Sequence, residues 1–576
     1  MYDHVVAGGD ERVDMQTRPV IVQMDGSILL DIHNGHADEA RLVLAKFAEL
    51  EKSPDHFHTY RVTALSLWNA AAAGHDSMEI LEQLRGLSRY EVPSTIARFI
   101  RETMDRYGIL ELRRGEEGLV LASTDELTLT EIMHHKTIAP LVRRMLSVTE
   151  VEVPLLSRGT VKVALTKLGY PVKDLAGYTA GTPLSFRIVP ELPDGRSFAL
   201  RRYQLQAADA FHQGGGLAGG SGVLTLPCGA GKTIIGLRAM ELLQTSTLIL
   251  AANITAARQW IRELLEKTTL REDQVAEYSG EHKDTAQITV ATYQILSYRP
   301  RGKDEFPHLS LLSGHNWGLI VYDEVHLLPA PVFRITAEIQ ARRRLGLTAT
   351  LVREDGREDE VFSLIGPKKF DAPWKELEAE GWIATAICME VRIELTDEER
   401  RRYAVAEQRE KARIAAEASA KEEAVLALME RHEGELILVI GQYLDQLEKI
   451  AMLTGAPLIT GAMRQQERER LYHAFRTGEI SSLIVSKVAN FSIDLPDASV
   501  AIQVSGAFGS RQEEAQRLGR IMRPKEEGMY AHFYTIVAKE TKDQEFALSR
   551  QRFLTEQGYE YEIADLEELR SGEVTV

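Results

Sequence analysis

The sequence predicts an α/β protein built on two parallel sheets in tandem, and three observations carry that expectation. The chain has 576 residues, more than a single hydrophobic core organises, so several domains of roughly 100–200 residues each are expected. From Leu200 onward, short apolar runs alternate with helical stretches: 222–227 (GVLTLP), 246–253 (STLILAAN), 288–293 (ITVATY), 317–324 (WGLIVYDE) and 343–350 (RRLGLTAT). Strands separated by crossover helices are the pattern of a parallel sheet. The alternation starts afresh near Glu435 with ELILVIG, APLIT, SLIVSKV, SVAIQVSG and HFYTIV, so a second α/β unit follows the first.

Helices complete each unit. One is expected to begin at Lys232 (IIGLRAMELL), another carries ARQWIRELLEK, and the second unit has YLDQLEKIAML and QQERERLYHAFR. Between the units, 396–433 holds almost no Gly or Pro and is dense in Ala, Glu, Arg and Lys, which predicts a helical insertion or connector. Ahead of the units, RPVIVQMDGSILLDI reads as a hairpin around Asp25-Gly26, a pair suited to a tight type I′ turn. Helical stretches are expected from about 38 to 107 with a break at Pro93, then a smaller mixed region over 119–189. The stretch 214–222 (GGGLAGGSG) reads as a flexible loop before the first sheet strand.

Composition narrows the class. Apolar residues make up 44% and charged residues 27%, ordinary values for a globular protein. The apolar runs are strand-length, far short of the ~20 residues of a membrane span, and the N-terminus lacks a basic stretch followed by an apolar one. A cytoplasmic protein without membrane contact is expected. Cys228 and Cys388 are the two cysteines and stand in unrelated contexts, so neither a disulfide framework nor a zinc site is predicted. The net charge of −17 favours solubility; it does not veto nucleic acid, because backbone N–H groups, hydroxyls and a few placed arginines can contact phosphates.

The strand 222–227 runs into Cys228-Gly229-Ala230-Gly231-Lys232-Thr233 and then a helix. Glycines let successive N–H groups face a phosphate, the helix N-terminus adds positive dipole, Lys232 can reach β/γ oxygens and Thr233 can ligate Mg²⁺. Leu226 stands where the full eight-residue motif has its first glycine. Further on, the apolar run GLIVY ends in Asp323-Glu324-Val325-His326. A carboxylate at the end of a strand beside such a loop can hold the water shell of Mg²⁺, and the next one can orient or deprotonate the attacking water. ATP and Mg²⁺ are therefore the expected substrate and cofactor. A two-domain ATPase also needs a cation from its second domain, and Gln516-Arg517-Leu518-Gly519-Arg520-Ile521-Met522-Arg523 offers one.

These segments, in this order, resemble the motifs of superfamily 2 helicases. LRRYQ resembles the adenine-sensing motif, with Arg201 and Gln204 at the matching positions. LTAT resembles the motif that links hydrolysis to domain movement, implying coupling roles for Thr348, Thr350 and His326. SIDLP resembles the motif that places Asp494 near the ribose, with Ser486 nearby on the DNA backbone. The resemblance assigns Arg520 and Arg523 to the γ-phosphate, and Gln516 and Arg517 to the neighbourhood of the hydrolysis pair. DEVH, QEEAQRLGRIMRPK, the helical insertion and Arg353-Glu354-Asp355 after LTAT resemble the xeroderma pigmentosum group B branch in its bacterial or archaeal form.

That resemblance implies two RecA-like motor domains, 196–375 and 435–576, a thumb-like helical insertion at 390–434, an N-terminal accessory domain at 1–117 and a damage-recognition-like domain at 118–195. It implies a DNA-stimulated ATPase moving 3′ to 5′ and opening duplex DNA, in repair, with Arg353, Glu354 and Asp355 at the strand-separation point. Arg402, Arg409 and Arg413 would share a helix face, either solvated or a rail for DNA phosphates. Duplex, fork or single-stranded DNA and a nuclease or other repair protein are the implied partners of a monomeric enzyme. The alternatives are a duplex translocase or RNA helicase acting within a larger complex, and a scaffold that keeps the fold without the activity.

Overall fold

The computed structural model describes residues 18–44, 46–52, 57–116, 118–154, 157–175, 181–215, 219–227, 229–298, 307–308, 315–327, 341–349, 358–372, 374–486, 498–506, 517–519, 521, 530–556, 559 and 561–571. Among them lie four sheets: two small ones in the first 175 residues, then two of seven parallel strands each.

The hairpin expected at Asp25-Gly26 is present, with Val20–Val22 antiparallel to Ser27–Asp31. Its loop is longer than a two-residue type I′ turn: Gln23 N donates to Ser27 O at 2.8 Å, and of the Asp25-Gly26 pair only Gly26 has positive φ. Asp25 Oδ1 accepts from Ser27 N instead. Two strands stand among the helical stretches expected from about 38 to 107, Glu49–Lys52 and Phe57–Arg61, and Phe57–Arg61 extends the hairpin. Helices Ala64–Ala72, Ser77–Leu87 and Ser94–Asp105 bury Leu67, Ile80, Leu84 and Ile100 against Ile28 and Leu30, and Pro93 stands immediately before the last of them.

The next sheet runs Arg144–Ser147, Glu150–Val153, Leu119–Ser123, Leu110–Arg114, Lys173–Asp174. Leu110–Arg114 and Leu119–Ser123 pair as a hairpin, so the boundary expected at 117/118 falls in its turn; this unit begins by Leu110. Its far boundary also moves. Residues from about 182 to 198 run along the first large sheet's domain, with Leu184 N on Gln244 O and Val189 N on Lys267 O, so they belong to that domain rather than to the unit before 195.

The first large sheet has the order Val275–Tyr278, Ile288–Thr292, Thr247–Ala251, Trp317–Asp323, Ala341–Thr348, Ser221–Thr225, Lys368–Asp371, all parallel. The five strands read from the sequence form its centre, and the edge strands Val275–Tyr278 and Lys368–Asp371 complete it. The second sheet runs Leu458–Ile459, Ser482–Ser486, Ile437–Gly441, Val500–Gln503, Ala531–Ala538, Ala386–Ile393, Tyr561–Asp565. Ala386–Ile393 pairs with both Ala531–Ala538 and Tyr561–Asp565, so the second motor domain begins at 386 or earlier, not at 435.

The helical connector is three helices, Asp397–Val405, Gln408–Ala416 and Ala420–Arg431. They do not stand apart as an insertion, because Ala415, Ala424, Val425 and Leu428 share a core with Val391, Val439 and Ile536 of the second sheet. Arg402 lies on a different helix from Arg409 and Arg413, and Arg413 is held by Glu417 at 2.9 Å and Asp445 at 2.7 Å, so the three arginines do not form one continuous helix face.

Candidate active site

Three adjacent strands end side by side at the carboxyl edge of the first motor sheet: Ser221–Thr225, Ala341–Thr348 and Trp317–Asp323. Ligands of open parallel sheets bind at that edge. The helix after the first strand begins at Lys232, as expected, with Gly231 before it at φ 77°, a left-handed conformation that suits glycine. A Cβ on Gly231 would lie 2.6 Å from Gln204 Nε2, so the glycine also makes room for the side chain beneath the loop. Gln204 Nε2 donates to Ala230 O at 3.1 Å, Tyr203 Oη donates to the same carbonyl at 2.6 Å, and Gln204 Oε1 accepts from Arg201 N at 2.9 Å. Arg201 itself lies over the Trp382 ring at 4.7 Å and donates to Trp382 O at 3.3 Å. Gly229 has φ 83°, and the loop is tied to the middle strand by Leu226 N donating to Thr348 O at 2.9 Å.

Lys232 Nζ stands 3.0 Å from Glu324 Oε1, so the cation of the phosphate loop and the second carboxylate of DEVH occupy one locus. Glu324 has φ 48°, strained for a non-glycine residue and a feature that clusters at working sites. Asp323, the residue before it, ends the strand. Burial and the charge of Glu324 push its carboxyl up to about 6, while the indole of Trp260 and the ammonium of Lys232 oppose the shift. Trp260 Nε1 donates to Asp323 Oδ2 at 3.0 Å, and Tyr293 Oη donates to Asp323 O at 2.7 Å. Trp260 reaches that position over Gly236, where a Cβ would lie 2.5 Å from the indole. His326 Nδ1 is 2.7 Å from Thr348 Oγ1 and 3.4 Å from Glu324 Oε2, linking the carboxylate to the neighbouring strand.

The structure thus brings together Arg201, Gln204, Gly229, Ala230, Gly231, Lys232, Asp323, Glu324, His326 and Thr348, and places Thr233 in the first turn of the Lys232 helix. Ser486 ends its strand in the second sheet, with its buried Oγ lacking a hydrogen-bond partner among the described residues. Arg517, expected near the hydrolysis pair, is buried in its own domain, where Nη1 donates to Gln503 Oε1 and, at 3.5 Å, to Ser505 O. Thr350, Arg353, Glu354, Asp355, Asp494, Gln516, Arg520 and Arg523 lie outside the described residues. Sequence reasoning passed over Trp260, Tyr293 and Tyr203. All three stood in segments already singled out, ARQWIRELLEK, ITVATY and LRRYQ, as aromatic residues that carry a polar hydrogen.

Two parallel-sheet domains in tandem, the first carrying a phosphate loop ion-paired to an Asp-Glu strand end, define a helicase-type ATPase motor. Family models agree along the chain: an ERCC3/RAD25/XPB C-terminal helicase model matches residues 377–574, a type III restriction enzyme res-subunit model matches 197–353, and a helicase conserved C-terminal domain model matches 20–147. The chain belongs to the XPB family of helicases. It is 52% identical to the DNA 3′-5′ helicase XPB of Kineococcus radiotolerans, over 97% of this chain and 98% of that protein. It is 52% identical to the protein of the same name from Mycobacterium tuberculosis, over 96% and 99%. The Saccharomyces cerevisiae general transcription and DNA repair factor IIH helicase/translocase subunit XPB/SSL2 is 31% identical, over 96% of this chain and 73% of that protein.

Proposed function

We propose that this chain hydrolyses ATP between its two motor domains and uses the cycle to move 3′ to 5′ on DNA and part its strands. The observation that carries the reading is the locus where Lys232 meets Glu324, beside Asp323, at the carboxyl ends of the two strands that flank Ala341–Thr348. Lys232 exchanges its pairing with Glu324 for the β/γ oxygens of ATP. Glu324, freed from the ammonium, orients the attacking water and accepts its proton. The donor set of the Thr233 hydroxyl and the Asp323 carboxylate, the latter fixed through Oδ2 by Trp260, suits Mg²⁺, which keeps several waters and takes its other ligands from phosphate. When bound, that ion supplies positive charge against the phosphates.

Gln204 reads the adenine side through its hold on the loop carbonyl, with Arg201 beside it. Asp494 and Gln516 complete the nucleotide contacts, and Arg520 and Arg523 bring charge to the γ-phosphate. His326, Thr348, Thr350 and Arg517 carry the change between domains; within the first domain His326 is bonded to Thr348. Arg353, Glu354 and Asp355 part strands at a junction, and Ser486 contacts the DNA backbone. The accessory unit at 110–175 is read as the damage-recognition-like domain. The protein works in the cytoplasm as a monomer with a nuclease or other repair protein, and no described helix is long and apolar enough to cross a membrane. The word translocase in the name of the yeast relative favours one second reading, a duplex translocase that acts within a complex without processive unwinding.

The deciding experiment measures ATPase with single-stranded DNA, duplex, fork and RNA side by side, and fork unwinding in parallel. DNA stimulation is expected, lost in Lys232→Ala and Glu324→Gln, with Glu324→Gln still binding ATP. Replacing Arg353, Glu354 and Asp355 together with alanine is expected to spare ATPase and depress unwinding. Stimulation by RNA alone, or near-normal turnover in either single variant, overturns the assignment.

A further inference from the structure

At the opposite edge of the first motor sheet, a cavity of about 350 Å³ lies where the two accessory units meet the motor. Its motor wall is the beginning of the strand at Ser221, the early residues Arg343 and Arg344 of the neighbouring strand, and the approach to Lys369. The phosphate loop sits at the other end of the same strands, roughly 15 Å of extended chain away. One accessory unit contributes Ala71–Gly74 and Tyr107, and the other contributes Arg158, Lys162, Lys173 and Asp174. The three units are joined here: Ser363 Oγ donates to Thr166 Oγ1 at 2.9 Å, and Lys368 N donates to Asn69 Oδ1 at 3.2 Å. Tyr107 and Phe362 form an edge-to-face pair across the junction, with ring centroids 6.4 Å apart.

The charge of this cavity is opposite to that of the protein. Six cations line it, Arg158, Lys162, Lys173, Arg343, Arg344 and Lys369, while Asp174 is the one acidic residue among the described lining residues of a chain whose net charge is −17. Asp174 is already committed: Arg158 holds it through two bonds of 3.0 and 2.5 Å, and Lys162 Nζ stands 2.9 Å away. Burial works against its ionisation, yet Lys162 and Arg158 keep its carboxyl well below the usual carboxylate range. Among the described residues Lys369 reaches Ala72 O and Gln213 Oε1, both at 3.5 Å, and burial pulls its ammonium down. Like charges gathered at low dielectric repel one another, and a multiply charged anion is the counterpart that offsets them.

We propose that this junction is a binding site for a small anion carrying a chain of two or more phosphates, which joins the accessory units to the motor from the side opposite the ATP site. The cavity suits such a ligand and excludes a duplex by size. Arg343, held by Gly219 O and Gly215 O, and Arg344, held by Tyr322 Oη and Leu364 O, give the motor wall fixed positive charge, while Lys173 and Lys369 supply the direct contacts from the accessory and motor sides. The site is independent of the hydrolysis pair, so its occupancy can tune how tightly the accessory units are held without entering the chemistry.

The test uses the full chain carrying Lys232→Ala, which removes the phosphate-loop cation, and follows thermal stability and calorimetric titration with sodium pyrophosphate, sodium tripolyphosphate and GTP against sodium sulfate at matched ionic strength. Pyrophosphate is expected to bind and to raise the melting temperature in this background. Adding Lys173→Gln and Lys369→Gln is expected to weaken it by about tenfold or more while leaving the ligand-free melting temperature equal or higher, since two repelling charges are gone. Equal affinities for tripolyphosphate and GTP identify the phosphate chain as what is read; tighter GTP adds the aromatic wall to the site. Loss of all pyrophosphate binding in Lys232→Ala, or unchanged affinity after the two glutamine substitutions, overturns the proposal. So does a result in which those substitutions weaken short-duplex binding and leave pyrophosphate binding unaltered.

Discussion

Asp323 is pulled in two directions. Burial and Glu324 disfavour its charge, and the Trp260 indole and Lys232 favour it, with the balance at about 6. Trp260 is thus a positioning residue, holding one carboxylate oxygen so that the other side of the group faces the loop. Trp260→Phe deletes the donor together with the outer indole atoms that lie over Gly236. A hydrogen bond to a charged group is worth ~1.5–3 kcal/mol, so the Mg²⁺ concentration for half-maximal ATPase should rise about tenfold or more. With the donor gone, Asp323 protonates at higher pH, and the acid limb of the rate profile should move up. A uniform fall in turnover, with Mg²⁺ demand and pH profile unchanged, would reduce Trp260 to packing. Lys232, Asp323 and Glu324 were legible in the sequence because phosphate chemistry needs them at fixed local spacings. Trp260 was not, because a donor 63 residues away in sequence leaves no local pattern.

The connector shows what composition hides at the level of elements. Its wealth of charge reads as a solvated helix, yet Lys421 is fully buried, donating to Val504 O at 2.8 Å, Ile536 O at 3.0 Å and Asp543 Oδ2 at 2.6 Å. The ammonium pins the connector to the ends of two strands of the second sheet. Lys421→Met leaves Asp543 buried with Arg550 Nη2 at 3.8 Å as a weaker partner. The expected loss is therefore at the low end of the ~3–5 kcal/mol typical of a broken buried pair, read from the motor transition in urea unfolding of the full chain. A change under about 1 kcal/mol would mean that the connector is held by its apolar face alone. The central strands were legible because a strand buried on both faces is a continuous apolar run. Glu49–Lys52 and Lys368–Asp371 carry charged side chains at sheet edges, and Ala386–Ile393 is interrupted by Glu390 and Arg392, so their periodicity is weak. Glu390 is buried where it stands, paired with Arg392 on its own strand at 2.7 Å and with Gln551 at 2.8 Å, the latter a partner 161 residues away that the sequence does not bring near.

Across the whole molecule, the cores are unequal in their independence. One core runs from Trp260 and Leu347 of the first motor domain through Trp374, Leu377 and Ile383 to Leu483 and Phe533 of the second, whereas the first sheet has a core of its own around Ile28, Leu30 and Leu67. Heating should therefore give separate transitions, with the motor domains melting together. His58 gives the N-terminal transition its own pH signature. It lies opposite Leu30 in the sheet, buried, with no hydrogen-bond partner for Nδ1 among the described residues. Burial, helped by the charge of Arg41, lowers its pKa from 6.5 to about 4. Between those two values the unfolded chain binds a proton that the folded chain refuses, so stability falls as pH drops from about 6.5 to about 4 and levels off below. His58→Leu removes the proton-binding group and suits a buried strand position. In calorimetry of the full chain, the variant's advantage over the parent in the N-terminal transition should widen steadily from pH 7 to pH 4.5, with the motor transition unaffected by the substitution. A constant offset across that range would mean that His58 does not titrate against folding, and that the acid sensitivity of this domain lies with its carboxylates.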